Sequence, residues 1–320
     1  MKKRAFGRVG AGVSEISFGA ASVSGEGGGY GFGHIGEKEA IALLRAAFDR
    51  GVNLFDTAPV YGFGVSEKRI GEAFAGAREK VFLVSKCGVA WDDAGRMRLD
   101  NSPDTVRRML EGSLRDLRTE YIDLYFIHWP DKGVDVRGTM EVLAEAKRAG
   151  KIRAIGLSNF YDEGEIRRAM EVERIDALQT EFNLFNTRAA AELFPFVREE
   201  GLGHMSYGPF DKGILSGTVG RARKFDEVDF RSTLEGWASE GKMRAMDRIN
   251  ELLKARGFAA RELALGFVLG HPEASTAICG VKSEAQLESA VKALEHLPPP
   301  DLIAEARRIA DEELAGAVSS

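Results

Sequence analysis

The feature that most constrains the fold is a regular alternation between short apolar runs and longer amphipathic segments. Eight apolar runs occur along the chain, and each is followed by residues whose apolar positions recur at helical spacing. The runs are nearly continuous in apolar residues, as expected for parallel strands that are buried on both faces. Repeated strand–helix units without a change in composition predict an α/β protein, a single (β/α)8 TIM barrel. The predicted strands are residues 16–19, 52–56, 81–86, 122–127, 152–157, 177–179, 202–207 and 276–280.

Segments outside this alternation predict additions to the barrel. Residues 2–15 contain glycines between short alternating pieces, which indicates an N-terminal β-hairpin. Residues 301–315 are amphipathic and predict an extra C-terminal helix, whereas 208–242 is predicted as a long irregular loop. A doubly wound open sheet is the alternative fold, but its usual G-x-G-x-x-G turn after the first strand is missing. We therefore expect one domain over residues 1–320.

Composition and charge narrow the class of protein. The chain has 320 residues, of which 44% are hydrophobic and 29% charged, as is typical of a globular protein with a large core. A net charge of −5 indicates no basic surface for nucleic acid or an anionic membrane. No apolar run approaches the roughly 20 residues of a membrane span, and the basic N-terminus lacks the apolar segment of a signal peptide. We expect a cytoplasmic protein with no nucleic-acid or membrane partner. The sequence is compatible with a monomer but does not determine the oligomeric state.

Polar residues stand at the ends of the predicted strands. In a barrel these ends converge on one mouth, where the chemistry takes place. Asp56 ends the second strand, and a buried carboxylate needs a partner, which Lys86 at the end of the third strand can supply. Tyr61, on the loop after Asp56, and His128, after the fourth strand, can both donate to a carbonyl oxygen. This set suits proton transfer beside a carbonyl group.

These residues lie in motifs that resemble the aldo-keto reductase family. The segment 51–71 contains Asp-Thr-Ala-x-x-Tyr-Gly, and the lysine and histidine segments follow in the family's order. The resemblance extends over residues 4–294. The chain also resembles the potassium-channel β-subunits, which are similar to this family. It implies a barrel, a nicotinamide cofactor and carbonyl reduction. The other matching segments are residues 84–86, 125–131, 156–160, 179–183 and 207–209.

The resemblance also implies a mechanism. Tyr61 is expected to be the general acid, although the usual pKa of a phenol, about 10, is high for this role. Lys86 is expected to lower that pKa, and Asp56 to keep Lys86 charged and oriented. His128 is expected to hydrogen-bond the substrate oxygen.

Cofactor contacts are implied in the same way. Ser158, Asn159 and Gln179 are expected to hold the carboxamide of the nicotinamide, and the ring of Tyr207 to stack on it. Lys282 stands beside a predicted helix N-terminus and suits a 2′-phosphate, so NADP(H) is expected over NAD(H). The chain departs from the family at Ser289 and Ala290, where relatives usually carry Glu-Asn. The remaining predicted cofactor residues are Gly208, Phe210, Lys212 and Gly213 for the pyrophosphate, and Gly280 and Gln286 near Lys282.

The substrate is less clear than the reaction. The sequence favours a reductase of small aldehydes or ketones, with two alternatives: a sugar or alcohol dehydrogenase working in the oxidative direction, and a slow-turnover nucleotide sensor. A metal-dependent hydrolase is disfavoured, because the chain has five histidines and no paired ligand motif. No metal is expected. Aromatic residues on the loops are predicted to form an apolar pocket wall: Tyr30, Phe63, Trp91, Trp129, Phe230 and Trp237.

Overall fold

The strands of the protein confirm the predicted barrel. The computed structural model describes residues 1–25 and 28–316, and within these residues eight parallel strands form a closed barrel. The strands in chain order are β1 (Lys3–Ala5), β2 (Gly12–Ser14), β3 (Ile16–Gly19), β4 (Leu54–Asp56), β5 (Phe82–Cys87), β6 (Val89–Trp91), β7 (Met97–Leu99), β8 (Ile122–Ile127), β9 (Ile152–Ser158), β10 (Ala177–Glu181), β11 (Gly203–Tyr207) and β12 (Thr276–Cys279). The barrel order is β3-β4-β5-β8-β9-β10-β11-β12, and β12 pairs in parallel with β3 to close it.

Helices follow the barrel strands and cover them on the outside. The extra C-terminal helix is confirmed as α11, which packs chiefly on α8. The helices are α1 (Glu37–Asp49), α2 (Val65–Ala73), α3 (Pro103–Asp116), α4 (Val136–Arg148), α5 (Glu163–Met170), α6 (Arg188–Glu192), α7 (Phe194–Glu200), α8 (Glu240–Arg256), α9 (Ala260–Leu269), α10 (Glu284–Ala293) and α11 (Pro300–Gly316).

Two local predictions were wrong. The spacing of residues 189–200 predicts one helix, but the chain forms α6 and α7 with a break at Leu193. Pro195 lies inside that segment and has no backbone N–H to continue a helix, so the second helix restarts just before it. The loop that contains Trp91 forms a small antiparallel hairpin, β6–β7, that the sequence did not reveal.

The N-terminal hairpin determines which end of the barrel is open. β1 and β2 pair antiparallel, as predicted, and the turn between them carries Phe6 into the barrel interior, where it is 1% exposed. Its ring packs edge-on against Phe82 at 5.8 Å, and Gly203 leaves room for it, since a Cβ there would lie 2.6 Å from the Phe6 ring. The N-terminal end is therefore filled by side chains, which leaves the carboxyl ends of the strands to form the site.

Helices α2 and α3 approach each other closely at Gly71. A Cβ on Gly71 would lie 2.7 Å from the carbonyl oxygen of Asp116 and 2.8 Å from the carbonyl carbon of Leu117. Both are backbone atoms, which cannot rotate out of the way. Gly112, also within a helix, has its nearest such neighbour, the Arg115 guanidinium, at 3.7 Å.

We predict that Gly71→Ala lowers the free energy of unfolding by about 1–3 kcal/mol, because the added methyl forces two backbones apart. The matched change Gly112→Ala should raise it by about 0.5–1 kcal/mol through helix propensity. Urea denaturation measures both values. A Gly71→Ala protein as stable as the wild type would contradict the close packing of α2 on α3.

Candidate active site

A cavity of about 450 Å³ opens at the carboxyl ends of the barrel strands. It extends from Tyr61 and His128 at one end to Lys282 and Gln286 at the other. Most of the sequence-predicted site residues line it together. These are Tyr30, Asp56, Tyr61, His128, Trp129, Ser158, Asn159, Gln179, Tyr207, Gly208, Phe210, Lys212, Gly213, Phe230, Gly280, Lys282 and Gln286.

A buried ion pair lies beneath the floor of this cavity. Lys86 is completely buried, and its Nζ donates to both carboxylate oxygens of Asp56 at 2.8 Å and to the carbonyl oxygen of Thr57 at 2.8 Å. The two residues end neighbouring strands, β4 and β5, so the barrel itself brings them together. Gln179 Nε2 donates to the same carboxylate at 2.8 Å. All three ammonium hydrogens thus have acceptors, which offsets the cost of burying the charges.

Tyr61 lies directly above this pair. Lys86 Nζ is also 3.3 Å from the phenol oxygen, so one of its three N–H groups is shared between two acceptors. The sequence analysis expected Lys86 to lower the pKa of Tyr61, but burial, and then the negative charge of Asp56, raise the pKa of Tyr61 well above its ordinary value. Asp56 balances the lysine charge, which leaves desolvation of the phenolate as the largest effect on this pKa. Tyr61 is therefore protonated at neutral pH.

His128 forms the adjoining wall with its ring 5.8 Å from that of Tyr61. Burial, followed by the charge of Lys86, holds the pKa of His128 well below its ordinary value. The imidazole is therefore neutral at pH 7, with one N–H to donate and one nitrogen to accept. Two hydrogen-bond donors, the phenol and the imidazole, thus face the same small volume.

Each of the two amides expected at the nicotinamide is held in place by hydrogen bonds to neighbouring groups. Asn159 has a left-handed backbone, φ 65°, which Asn tolerates better than most residues. Its Nδ2 donates to the His128 carbonyl at 3.0 Å, and its Oδ1 accepts from the Tyr207 hydroxyl at 2.8 Å. The Gln179 amide is oriented by Asp56, which leaves Oε1 without a hydrogen-bond partner among the described residues. This rigid set of amides and a hydroxyl, with Ser158 beside it, fits a carboxamide.

Two segments of irregular chain meet across the cavity. Phe230 N donates to the Gly31 carbonyl at 2.9 Å, and Phe32 forms an antiparallel bridge with Asp229. The rings of Tyr30 and Phe230 lie 5.1 Å apart. The long loop therefore crosses the cavity to the glycine-rich loop after β3, of which residues 26 and 27 lie outside the described chain.

Three predicted wall residues do not line the cavity. Phe63 and Trp91 pack on each other in a tilted arrangement, with ring centres 5.0 Å apart, beside a separate hollow, and Trp237 packs against Phe225 at 5.9 Å. These three side chains pack against neighbouring aromatic rings on the loops. Their positions in the sequence do not indicate the direction in which they point. The cavity also includes residues that the sequence analysis did not single out: Ser22, Phe32, Glu181, Arg231, Leu234 and Arg261.

The profile of the Aldo/keto reductase family matches residues 15–311. The chain belongs to the aldo/keto reductase family. It is 35% identical to the aldo-keto reductase YhdN of Bacillus subtilis over 82% of this chain and 80% of the relative. It is 29% identical to the NADH-specific methylglyoxal reductase of Escherichia coli, over 92% and 94% of the two chains.

Solved structures agree with this membership. A glycerol dehydrogenase from Gluconobacter oxydans superposes with a TM-score of 0.83 at 29% identity, covering 100% of this chain and 97% of the other. An aldo-keto reductase from Bacillus halodurans in its holo form gives a TM-score of 0.78 at 26% identity, with 98% and 96% covered. Membership makes the chain an oxidoreductase of a family that uses nicotinamide cofactors on small carbonyl or sugar substrates.

The described residues lack both a membrane-spanning helix and a metal-binding cluster. No helix there is long and apolar enough to cross a membrane. No group of three or more His, Cys, Asp or Glu in the same residues is arranged to hold a metal ion.

We predict that Asp56→Asn lowers the free energy of unfolding by roughly 3–5 kcal/mol, because it leaves the Lys86 ammonium buried without its counter-charge. The double variant Asp56→Asn, Lys86→Met removes both charges and should be more stable than Asp56→Asn alone. Urea denaturation of the wild type, the two single variants and the double variant at neutral pH gives the coupling free energy between Asp56 and Lys86. Additive losses in the double variant would mean that the pair is not energetically linked.

Proposed function

We propose that the protein is an NADPH-dependent reductase that converts small aldehydes or ketones to alcohols, with Tyr61 as the general acid. The observation that supports this proposal is a chain of hydrogen bonds at the cavity floor. It runs from Asp56 to Lys86 and from Lys86 to the Tyr61 phenol, beside a neutral His128. A protonated phenol and an imidazole N–H together can hold one carbonyl oxygen. We also propose that residues 1–320 form one domain and that the protein acts in the cytoplasm.

The proton path follows from the geometry. His128 donates a hydrogen bond to the substrate oxygen and aligns it with the Tyr61 hydroxyl. When bound, the reduced nicotinamide supplies hydride to the carbonyl carbon. Tyr61 transfers its proton to the carbonyl oxygen as negative charge grows there and becomes a phenolate, which Lys86 stabilises from 3.3 Å. Asp56 keeps Lys86 in place, and solvent returns the proton to Tyr61.

The residues of the cavity fit a nicotinamide dinucleotide. Ser158, Asn159 and Gln179 would hold the carboxamide, with the Tyr207 ring, fixed by its bond to Asn159, against the nicotinamide face. The loop from Gly208 to Gly213, which has left-handed backbone at both glycines, would bring backbone N–H groups to the pyrophosphate.

The preference for NADPH rests on cations at the far end of the cavity. Lys282 lines it just before α10, whose Ser283 accepts from Gln286 N at 3.3 Å, while Gln286 Oε1 accepts from Lys282 N at 2.8 Å. These two contacts form a variant of the capping box. The Escherichia coli relative is named as NADH-specific, so the preference depends on this chain's own side chains rather than on the family.

The substrate proposed is a small carbonyl compound. Tyr30, Trp129 and Phe230 form an aromatic wall near His128, which suits a substrate with an apolar part. A dehydrogenase working in the oxidative direction is the second candidate, favoured by the similarity to a glycerol dehydrogenase. The raised pKa of Tyr61 favours reduction at neutral pH, since oxidation needs the phenolate as base.

We predict that Tyr61→Phe lowers kcat for 4-nitrobenzaldehyde reduction by about 10²–10⁴, because it removes the proton donor. The dissociation constant for NADPH, measured by fluorescence titration, should change by less than about threefold, since the ring remains in place. Wild-type turnover by the Tyr61→Phe variant would overturn the acid assignment. Slow wild-type turnover despite tight NADPH binding would instead support a sensor.

We predict that kcat/KM for reduction stays level from about pH 6 to about pH 9, because the raised pKa keeps Tyr61 protonated throughout. The rate of alcohol oxidation should rise over the same range, as the fraction of phenolate increases. A pH series in both directions checks this. A reductive rate that falls with a midpoint near about pH 7 would point to an acid other than Tyr61.

A further inference from the structure

Arg261 is a cation in the cofactor cavity for which the sequence analysis found no role. It is the second residue of α9, and its side chain reaches the cavity lined by Lys282, Gln286 and Phe210. Its Nη1 donates to the Ser289 hydroxyl, and the guanidinium lies 5.5 Å from the centre of the Phe210 ring. Its Nε is buried and has no hydrogen-bond partner among the described residues.

The other cations of this cavity are compensated by nearby groups. Lys212 pairs with Glu181 at 3.1 Å, and Arg231 pairs with Asp229 at 2.7 Å. Lys282 donates to the Phe32 carbonyl at 2.7 Å and is attracted by Asp229.

Arg261 lacks comparable compensation. Its neighbours are a neutral hydroxyl and an aromatic face, and burial, the largest effect, lowers the pKa of its guanidinium. A partly desolvated charge with a buried N–H that lacks a partner is costly unless an anion completes its surroundings.

We propose that Arg261 binds the phosphate on the 2′ position of the adenosine ribose and thereby gives the site its preference for NADPH. This inference rests on the proposed function. A guanidinium suits a phosphate because it offers several N–H donors in one plane. Ser289 lies one helical turn beyond Gln286 on α10, so Arg261 stands at the Lys282 end of the cavity, away from Tyr61.

Ser289 is the reason that the charge stays available. A carboxylate at this position would lie within reach of the Arg261 guanidinium and neutralise it. The small hydroxyl orients the side chain and leaves its charge for a ligand. The residue pair Arg261 and Ser289 thus acts as one unit, and either member can be changed to test it.

The experiment measures dissociation constants of NADPH and NADH for the purified full-length variants by fluorescence titration. Arg261→Met should weaken NADPH binding about 10- to 100-fold and leave NADH within about twofold, which also shows that the protein is folded. Lys254→Met, an exposed cation on α8, makes the same change in net charge and should alter neither constant. Lys282→Ala should cost less NADPH affinity than Arg261→Met, because the lysine is already compensated.

A second pair of variants tests the charge without removing the arginine. Ser289→Asp should reduce NADPH affinity at least about tenfold by pairing with Arg261, whereas Ser289→Ala should keep the wild-type preference. Equal losses for NADPH and NADH in Arg261→Met, or no loss for either, would overturn the assignment to the 2′-phosphate. Equal losses would show that Arg261 contacts a part common to both nucleotides.

Binding of 2′,5′-ADP and 5′-AMP separates this inference from the reductase proposal, since neither fragment supports turnover. Arg261-dependent preference for 2′,5′-ADP in a protein that reduces no aldehyde would support Arg261 and reject the reductase. If the wild type instead reduced an aldehyde with NADH and bound both fragments equally, the result would support a reductase and reject the role of Arg261.

Discussion

The buried contact between Lys86 and Asp56 is the interaction on which the site depends. Two charges at zero or near-zero exposure are tolerable only because every ammonium hydrogen has an acceptor and the carboxylate also receives the Gln179 amide. Such geometry requires rigid neighbours. Strands β4 and β5 provide them, and the hairpin that fills the opposite end of the barrel with Phe6 keeps that framework closed.

Most of the fold could be predicted because its signal is repeated. Parallel strands buried on both faces must be apolar throughout, so eight such runs separated by amphipathic segments leave few architectures. The predictions that were wrong concern short local segments. The break at Leu193 follows from one proline, and the hairpin β6–β7 is too short and too exposed to leave a periodic pattern. Tertiary contacts, rather than propensity, decide such pieces.

The site was predictable where strands position it and unpredictable where loops do. Asp56, Lys86 and His128 meet because strand ends must meet, whereas Phe63 and Trp91 point into a hollow of their own. The pKa of Tyr61 depends on the fold in a similar way. Sequence shows which charges are present, but the balance between Lys86, Asp56 and desolvation depends on distances that only the folded chain provides.

The two ends of the cavity differ in whether their positive charge is paired with a carboxylate. At the end with Tyr61, the lysine charge is neutralised by Asp56, so an anionic ligand would gain little there. In the proposed mechanism the lysine charge matters when a phenolate forms on Tyr61. At the other end, Arg261 keeps a charge that no carboxylate in the described chain balances. In the function proposed here, a cofactor whose own negative charge lies far from its reactive ring would suit this arrangement. The end with Arg261 would contribute binding affinity, and the end with Lys86 would stabilise the transition state.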